Sequence, residues 1–454
     1  MNEFIKINSV FDNNSGRIID ELKKIYFDKK RLQKYIKNLI YDSFLKNNNL
    51  KGKSIFLKPN WVRHSIHNYD EICLRTNDNF LLAFIELLLE LSPKSILIGD
   101  APIQSCKWDK MLSTNFFLEI NLLSKRYNIP IIIKDYRRVI FDVLNNELKE
   151  VNNKINEYII FDLGNQSYLE PISNDENNFR VTYYDYNRLS KVHKIGVHKY
   201  CITKDFFNND IFISIPKIKT HQKTGITCAL KNLVGLNGDK DYLPHHRIGG
   251  TGRNGDCYPG NSNLRYFSEK LMDIANKNIG KPQFLFWKKL SILFWKLSNP
   301  KLVHQRAAGW YGNDTCWRMV MDINKIAIYG TNDGRILEKP QRIIYTLCDG
   351  IIGGQGNGPL KPSPLPLGII AFSNNSYITD IITAMLMGFN INLIYLLKAA
   401  INEILLKEIE IFIDDKSFFF NDFNIMNEIN SLSLTTSPPS GWIEYLNNNE
   451  NCYS

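Results

Sequence analysis

The chain reads as an α/β protein: two Rossmann-like parallel-sheet lobes with helices on both faces and a central cleft. Three observations predict this. Short apolar runs recur at 54–58, 95–98, 129–134 and 211–215, the continuous pattern of strands buried on both faces. Helix-period segments alternate with them, as parallel strands joined by crossover helices require. A length of 454 residues with 44% hydrophobic content is enough for two or three cored domains.

The elements follow in order. Residues 17–46 carry apolar Ile18, Leu22, Ile25, Leu32, Ile36 and Ile40 at helical spacing, with Lys and Arg on the other face, the pattern of an amphipathic packing helix. Residues 54–58 are a strand. A helix over 77–91 has Thr76 or Asn77 as its cap. The strand 95–98 turns out through Gly99, Asp100, Ala101 and Pro102. A helix at 108–127 and a strand at 129–134 come next. The Asn- and Tyr-rich stretch 141–190 accommodates an edge hairpin, and 202–209 a short helix before the strand at 211–215. Residues 236–262, rich in Gly, His and Asp, read as a long functional loop. Residues 263–304 read as helical, with the aromatic and basic stretch 287–295 capping the sheet. A helix at 314–329, strands at 343–347 and 367–372, a helix at 376–387 and a strand at 408–414 make a second α/β lobe. The expected division is a helical extension at 1–48, a first lobe at 49–262, a helical insertion at 263–312, a second lobe at 313–446 and a flexible tail at 447–454.

Composition narrows the function. The formal charge is +10, which favours anionic ligands, but the lysines are dispersed and no nucleic-acid-binding motif is present, so nucleic acid is not an expected partner. The N-terminus lacks the pattern of a signal peptide, and no apolar run reaches the ~18 residues of a membrane span; the expected location is cytoplasmic. The eight cysteines form no Cys-x-x-Cys pair, which argues against an iron–sulfur cluster or zinc ribbon and for buried reduced thiols.

The chemistry concentrates after the strand at 211–215. Pro216 ends it, and Lys217, Lys219 and His221 follow as a loop at its carboxyl end, where open α/β sheets bind ligands. Lys231 and Asn232 lie on a helix-like segment beyond. Lysine supplies a mobile point charge for phosphate or carboxylate, and a buried lysine can lose its proton and act as a nucleophile. His221, Lys231 and Lys219 are the candidate catalytic groups. His245 and His246 lie in the long loop and, with His221, are the candidate ligands of a divalent transition metal; neighbouring histidines point different ways on most backbones, so one of the pair is the expected ligand. Lys58, Asn60 and Asp100 stand at two early strand ends, near Arg63. Asp349 precedes the glycine-rich run with Gly354, Gly356 and Gly358, a loop able to nest an anion or to form a sharp turn. With Lys217 and Asn232, these are the candidate cofactor- or ligand-holding residues. Asp314 and Arg318, one helical turn apart, have the spacing of an intrahelical ion pair.

Several ordered stretches carry a family resemblance: Leu57-Lys58-Pro59-Asn60, Ile98-Gly99-Asp100-Ala101-Pro102, the Lys217–His221 segment with Leu230-Lys231-Asn232-Leu233, Gly312 to Arg318, and Asp349 to Pro359 with Asp380 beyond. Over about residues 50–390 the chain resembles the DUF362 family, which is largely uncharacterised. The order His221, Lys231, then His245 or His246 also loosely resembles the lactate racemases. That resemblance implies a nickel-pincer nucleotide held by histidines and a covalently linked lysine, and proton or hydride transfer at a hydroxy-acid or sugar-like carbon.

The function expected is an enzyme acting on a small anionic or polyhydroxylated substrate in the interlobe cleft, metal- or cofactor-assisted. The alternatives are a non-catalytic module binding an anion or phosphorylated ligand through the same lysines, and a protein docking to a membrane surface through 287–295.

Overall fold

The computed structural model describes residues 2–11, 16–151, 153–174, 178–181, 184, 186–298 and 306–450. Twelve strands join in one sheet. In chain order they are β1 (Phe4–Ser9), β2 (Ser54–Pro59), β3 (Ser95–Asp100), β4 (Ile131–Asp135), β5 (Ile211–Ile215), β6 (Lys217–His221), β7 (Gly225–Thr227), β8 (Ile344–Asn357), β9 (Lys361–Leu365), β10 (Ile369–Ser373), β11 (Glu410–Ile413) and β12 (Lys416–Phe419). The spatial order is β12-β11-β1-β10-β8-β5-β2-β3-β4, with β6 pairing β8 and β7, and β9 pairing β8. Strands β8, β5, β2, β3 and β4 run parallel. The α/β class with a largely parallel sheet is therefore as the sequence predicts. The two sequence halves meet within it, with Phe212 of β5 opposite Ile344 of β8.

Alternation along the strands supplies both faces. Phe56 and Phe212 pack into one core, while their neighbours Ile55, Leu57 and Ile213 pack into the other. Each such fully buried large side chain contributes about 1.5–3 kcal/mol. Helices cover both sides: α1 (Ile19–Phe27), α2 (Lys29–Ile40), α3 (Asp78–Leu89) and α4 (Thr114–Tyr127) on one; α5 (Asn263–Lys277) and α6 (Gln283–Ser298) as a paired hairpin; α7 (Cys316–Tyr329), α8 (Ser376–Leu386) and α9 (Tyr395–Ile401) on the other. Local chemistry sets their ends. Asp28 breaks the expected 17–46 helix and caps α2 by accepting from the Arg31 amide. Asn77 caps α3, accepting from Asn79 and Phe80.

Several expectations change. The N-terminal segment supplies β1 as well as helices, because Ile5 and Ile7 alternate with polar neighbours and pair against β10 and β11. Lys217–His221 is a strand, not a loop. Pro216 ends β5, but the 14-residue β8 runs on past it and pairs β6 as well, with Lys217 opposite Asp349 and Lys219 opposite Gly354. The glycine-rich run is likewise the end of β8, in a hairpin with β9. The 236–262 segment is packed over most of its length, with 251–254 and 259–261 exposed. Some of its polar side chains pair with neighbouring elements: Asn237 accepts from the Cys201 amide at 2.8 Å, and Asp239 pairs with Arg138 at 2.7 Å. The α5–α6 hairpin packs on itself and, through Trp295, on Tyr258 (ring centroids 5.8 Å apart) rather than capping the sheet. Leu285, Phe286, Leu293 and Leu297 remain exposed on it. The expected tail at 447–454 begins within the helix Ile443–Glu450, and its last four residues lie outside the described ones. A hairpin forms at Val139–Asp142 and Glu147–Glu150, starting before the expected 141–190 stretch and standing as a two-stranded sheet of its own rather than at an edge.

Candidate functional site

A cavity of about 380 Å³ opens at the carboxyl ends of β2 and β3 and beside β6, the position that a doubly wound sheet leaves for ligands. Lys58, Asn60, Asp100, Lys219, His221 and Lys231 line it, and Asn232 and His245 complete the set that the sequence pattern singles out. Its lining holds five lysines, the others being Lys223 and Lys240, against one carboxylate, Asp100.

Most of these groups hold one another. Lys58 pairs with Asp100 at 2.8 Å, both side chains buried, and the second Asp100 oxygen accepts from the Trp61 amide at 2.7 Å. Lys219 donates to Asn60 Oδ1 at 2.9 Å and to the Leu74 carbonyl. Asn232 ties the first strand to the next, donating to the Lys58 carbonyl and to Ser214 at 2.8 and 2.9 Å. Gly235 makes room for this: a Cβ there would lie 1.9 Å from Asp100 Oδ1 and 2.7 Å from Lys58 Nζ. Lys231 has no hydrogen bond or ion pair among the described residues and sits half-buried on the single helical turn Ala229–Asn232. It is the cation left for a ligand.

Burial tunes these groups. Desolvation brings the Lys219 ammonium down to about 7 and Lys240 to about 8. Burial also lowers Lys58 and Lys223. His221 and His245 are pushed well below the ordinary histidine value by burial, and the charges of Lys231 and Lys223 reinforce the effect. Both rings are thus neutral near pH 7, and their partners fix opposite tautomers. His221 Nδ1 accepts from the amides of Lys223 (3.0 Å) and Thr224 (3.2 Å), so its proton is on Nε2. His245 Nδ1 lies 2.7 Å from the Leu243 carbonyl and must donate, which leaves Nε2 with a lone pair. One cavity wall therefore offers a neutral N–H donor and a neutral imidazole base.

Other sequence candidates lie elsewhere. Lys217 and Asp349 form a fully buried pair at 2.9 Å, shared with Tyr26. Gly354, Gly356 and Gly358 do not line the cavity; a Cβ on Gly354 would meet Lys219 Cβ and the Cys73 carbonyl at 2.8 Å, and one on Gly358 the Thr220 carbonyl at 2.0 Å. Close packing requires Gly354 and Gly358, and Gly356 has the positive φ of 75° that favours glycine. His246 faces a different cavity from His221 and His245, so the three histidines do not meet. Arg63 pairs with Asp70 at 2.9 Å, and Arg318 with Asp314 at 3.1 Å. Tyr184, Gln104 and Lys240, which are not among the sequence candidates, line the cavity. Only Lys240 carries a local signal, its position in the polar segment 239–247.

Fold and cleft define the class: an α/β protein with a lysine- and histidine-lined cavity at the carboxyl ends of its parallel strands. The DUF362 family model, described as a domain of unknown function, matches part of the chain. Residues 164–385 match it, and over that stretch the chain carries a DUF362 domain. No curated protein matches the chain, and nothing found supports the likeness to lactate racemases. A crystal structure of a Thermotoga maritima protein, a structural-genomics target, aligns with 79% of this chain at 11% identity and a TM-score of 0.31. The chain covers 56% of that protein, and a likeness at this level carries no argument. No described helix is long and apolar enough to cross a membrane.

Proposed function

We propose that the cleft binds a small ligand bearing a carboxylate or phosphate and performs acid–base chemistry on it. The observation that carries this is the cavity's charge: five lysines face one carboxylate that Lys58 already engages. The unpaired Lys231 supplies the anchoring charge. Lys219, with its value near 7, supplies a group able to give or take a proton at neutral pH, and the neutral His221 and His245 rings supply a hydrogen-bond donor and an acceptor in the same cavity. Binding without turnover rests on the same lysines. A panel of phosphates, sugar phosphates and hydroxy acids, followed by thermal shift and by proton exchange into labelled water, separates the two. Ligand at 1,000 times its Kd should stabilise the protein by about 4 kcal/mol. Binding with no exchange or product leaves a binding module, and no shift with any member removes the proposal.

A second reading has its own observation. Leu285, Phe286, Leu293 and Leu297 are exposed on α6 beside exposed Lys289 and Lys296, the combination that lies on an anionic membrane surface. Co-sedimentation with anionic vesicles, lost in a Phe286→Ser Leu297→Ser protein, is the result it requires.

A further inference from the structure

A second cavity, of about 190 Å³, lies on the other side of the 245–258 segment, between it and the α5–α6 hairpin. His246, Cys257 and Glu269 converge on its wall from three separate pieces of chain. His246 is held in a two-stranded pairing opposite Arg180. The Cys257 amide is fixed to the Gly249 carbonyl at 2.9 Å. Glu269 projects from α5, and its Oε2 accepts from the Gly249 amide at 2.8 Å. One ligand-type atom from each residue lies within 4.8 Å of the other two.

Two polar atoms of this cluster are buried and unpaired. Glu269 Oε1 and His246 Nδ1 have no hydrogen-bond partner among the described residues, although the two side chains are only 10% and 8% exposed. His246 Nε2 stands 3.8 Å from Glu269 Oε1, beyond hydrogen-bond reach. Leaving such atoms buried and unpaired is costly, which points to a ligand that satisfies them. Thiolate, imidazole and carboxylate together are the donor set of zinc.

We propose that His246, Cys257 and Glu269 bind a zinc ion, with the adjoining cavity leaving a fourth position for water or a small ligand. Zinc–ligand bonds of about 2.0–2.3 Å ask for a modest inward closure of the three side chains. The Cys257 thiol gives up its proton to solvent as the ion binds. The ion ties the 246–257 segment to α5. Because His245 precedes that segment and lines the anion-binding cleft, zinc also holds one wall of that cleft in place.

The test uses the full chain, stripped with chelator and refilled with Zn²⁺ or Co²⁺, read by elemental analysis and absorption. One zinc per chain is expected, and the cobalt form should show a thiolate-to-metal charge-transfer band. Cys257→Ser and Glu269→Gln should reduce metal content to background while circular dichroism is unchanged. His221→Gln, in the other cavity, should keep the ion. Failure of the wild-type chain to take up either metal overturns the proposal, as does a charge-transfer band that survives Cys257→Ser. If Cys257→Ser does not fold, the wild-type cobalt spectrum and Glu269→Gln decide: absence of the thiolate band, or full metal content in Glu269→Gln, overturns it. None of these readouts depends on what the lysine-lined cleft binds.

Discussion

Lys217 Nζ lies 2.9 Å from Asp349 Oδ2 with both side chains fully buried, and four elements converge on this pair. Tyr26 of α1 donates to Asp349 Oδ1 at 2.5 Å and accepts from Lys217 at 3.0 Å. The amide of Asn77, the cap of α3, donates to Asp349 Oδ2 at 2.9 Å. The pair thus joins β6 and β8 to two helices of the adjacent layer. Removing one partner leaves a charge with no compensation, so Lys217→Met should cost about 3–5 kcal/mol. A Lys217→Met Asp349→Leu protein should lose less than either single variant. Urea unfolding measures both, and a Lys217→Met cost below about 1 kcal/mol would contradict the buried pair, since that is the ceiling of exposed ones.

Lys231 should behave in the opposite way. It has no partner to strand among the described residues, so Lys231→Ala should change stability by no more than about 0.5 kcal/mol. Anion binding in the cleft should nonetheless weaken severely, and Lys231→Arg should restore part of it. Phosphate-induced thermal shifts on the three proteins provide the comparison; equal shifts in wild type and Lys231→Ala would exclude Lys231 as the anchor.

Gly235→Ala probes how tightly the cleft is built. The new methyl group would press on Asp100 and Lys58, and overpacking of this kind costs about 1–3 kcal/mol. Loss of the Lys58–Asp100 pairing should show as weaker ligand binding in a protein with native circular dichroism. A variant as stable as wild type, with unchanged ligand affinity, would show that the pair tolerates displacement.

Mild acid should destabilise the protein through its buried histidines, against the smaller opposing effect of Asp380 and Asp322, whose carboxyls burial holds up at about 7 and about 6. Burial lowers His193 to about 3, and His221, His245 and His246 also fall well below 6.5. As pH falls through 6.5 the unfolded chain takes up protons that the folded chain refuses, so stability declines with falling pH until the folded values are reached. Each such histidine adds a slope of up to about 1.4 kcal/mol per pH unit. Urea midpoints between pH 7 and 5 should fall, and less steeply in His193→Gln. An identical slope in that variant would show that His193 takes up its proton in the folded protein too.

Much of the candidate cleft is legible in the amino-acid sequence. The strands β2, β3 and β5 announce themselves as continuous apolar runs, and the residues at their ends, Lys58, Asn60 and Asp100, stand where a parallel sheet opens. The Asn77 cap is equally plain, because a cap is satisfied by amides two and three residues away. The role of Lys217 is not legible. It stands two residues from Lys219 in a similar local sequence, yet one side chain enters a buried ion pair and the other lines the cavity.

The sequence by itself therefore determined the α/β class, most element positions and the lysine and histidine inventory at the strand ends, since these follow from hydrophobic period, turn chemistry and capping over a few residues. The tertiary structure alone decided which partner each charged group receives. Lys217 and Asp349 are 132 positions apart, and they meet because β8 is long enough to pair both β5 and β6. His245 and His246 part company because His245, just before the two-residue strand His246–Arg247, lines the cleft, whereas His246, held on that strand, faces Cys257 and Glu269. Contacts of that kind depend on how distant segments pack, and no local pattern encodes them.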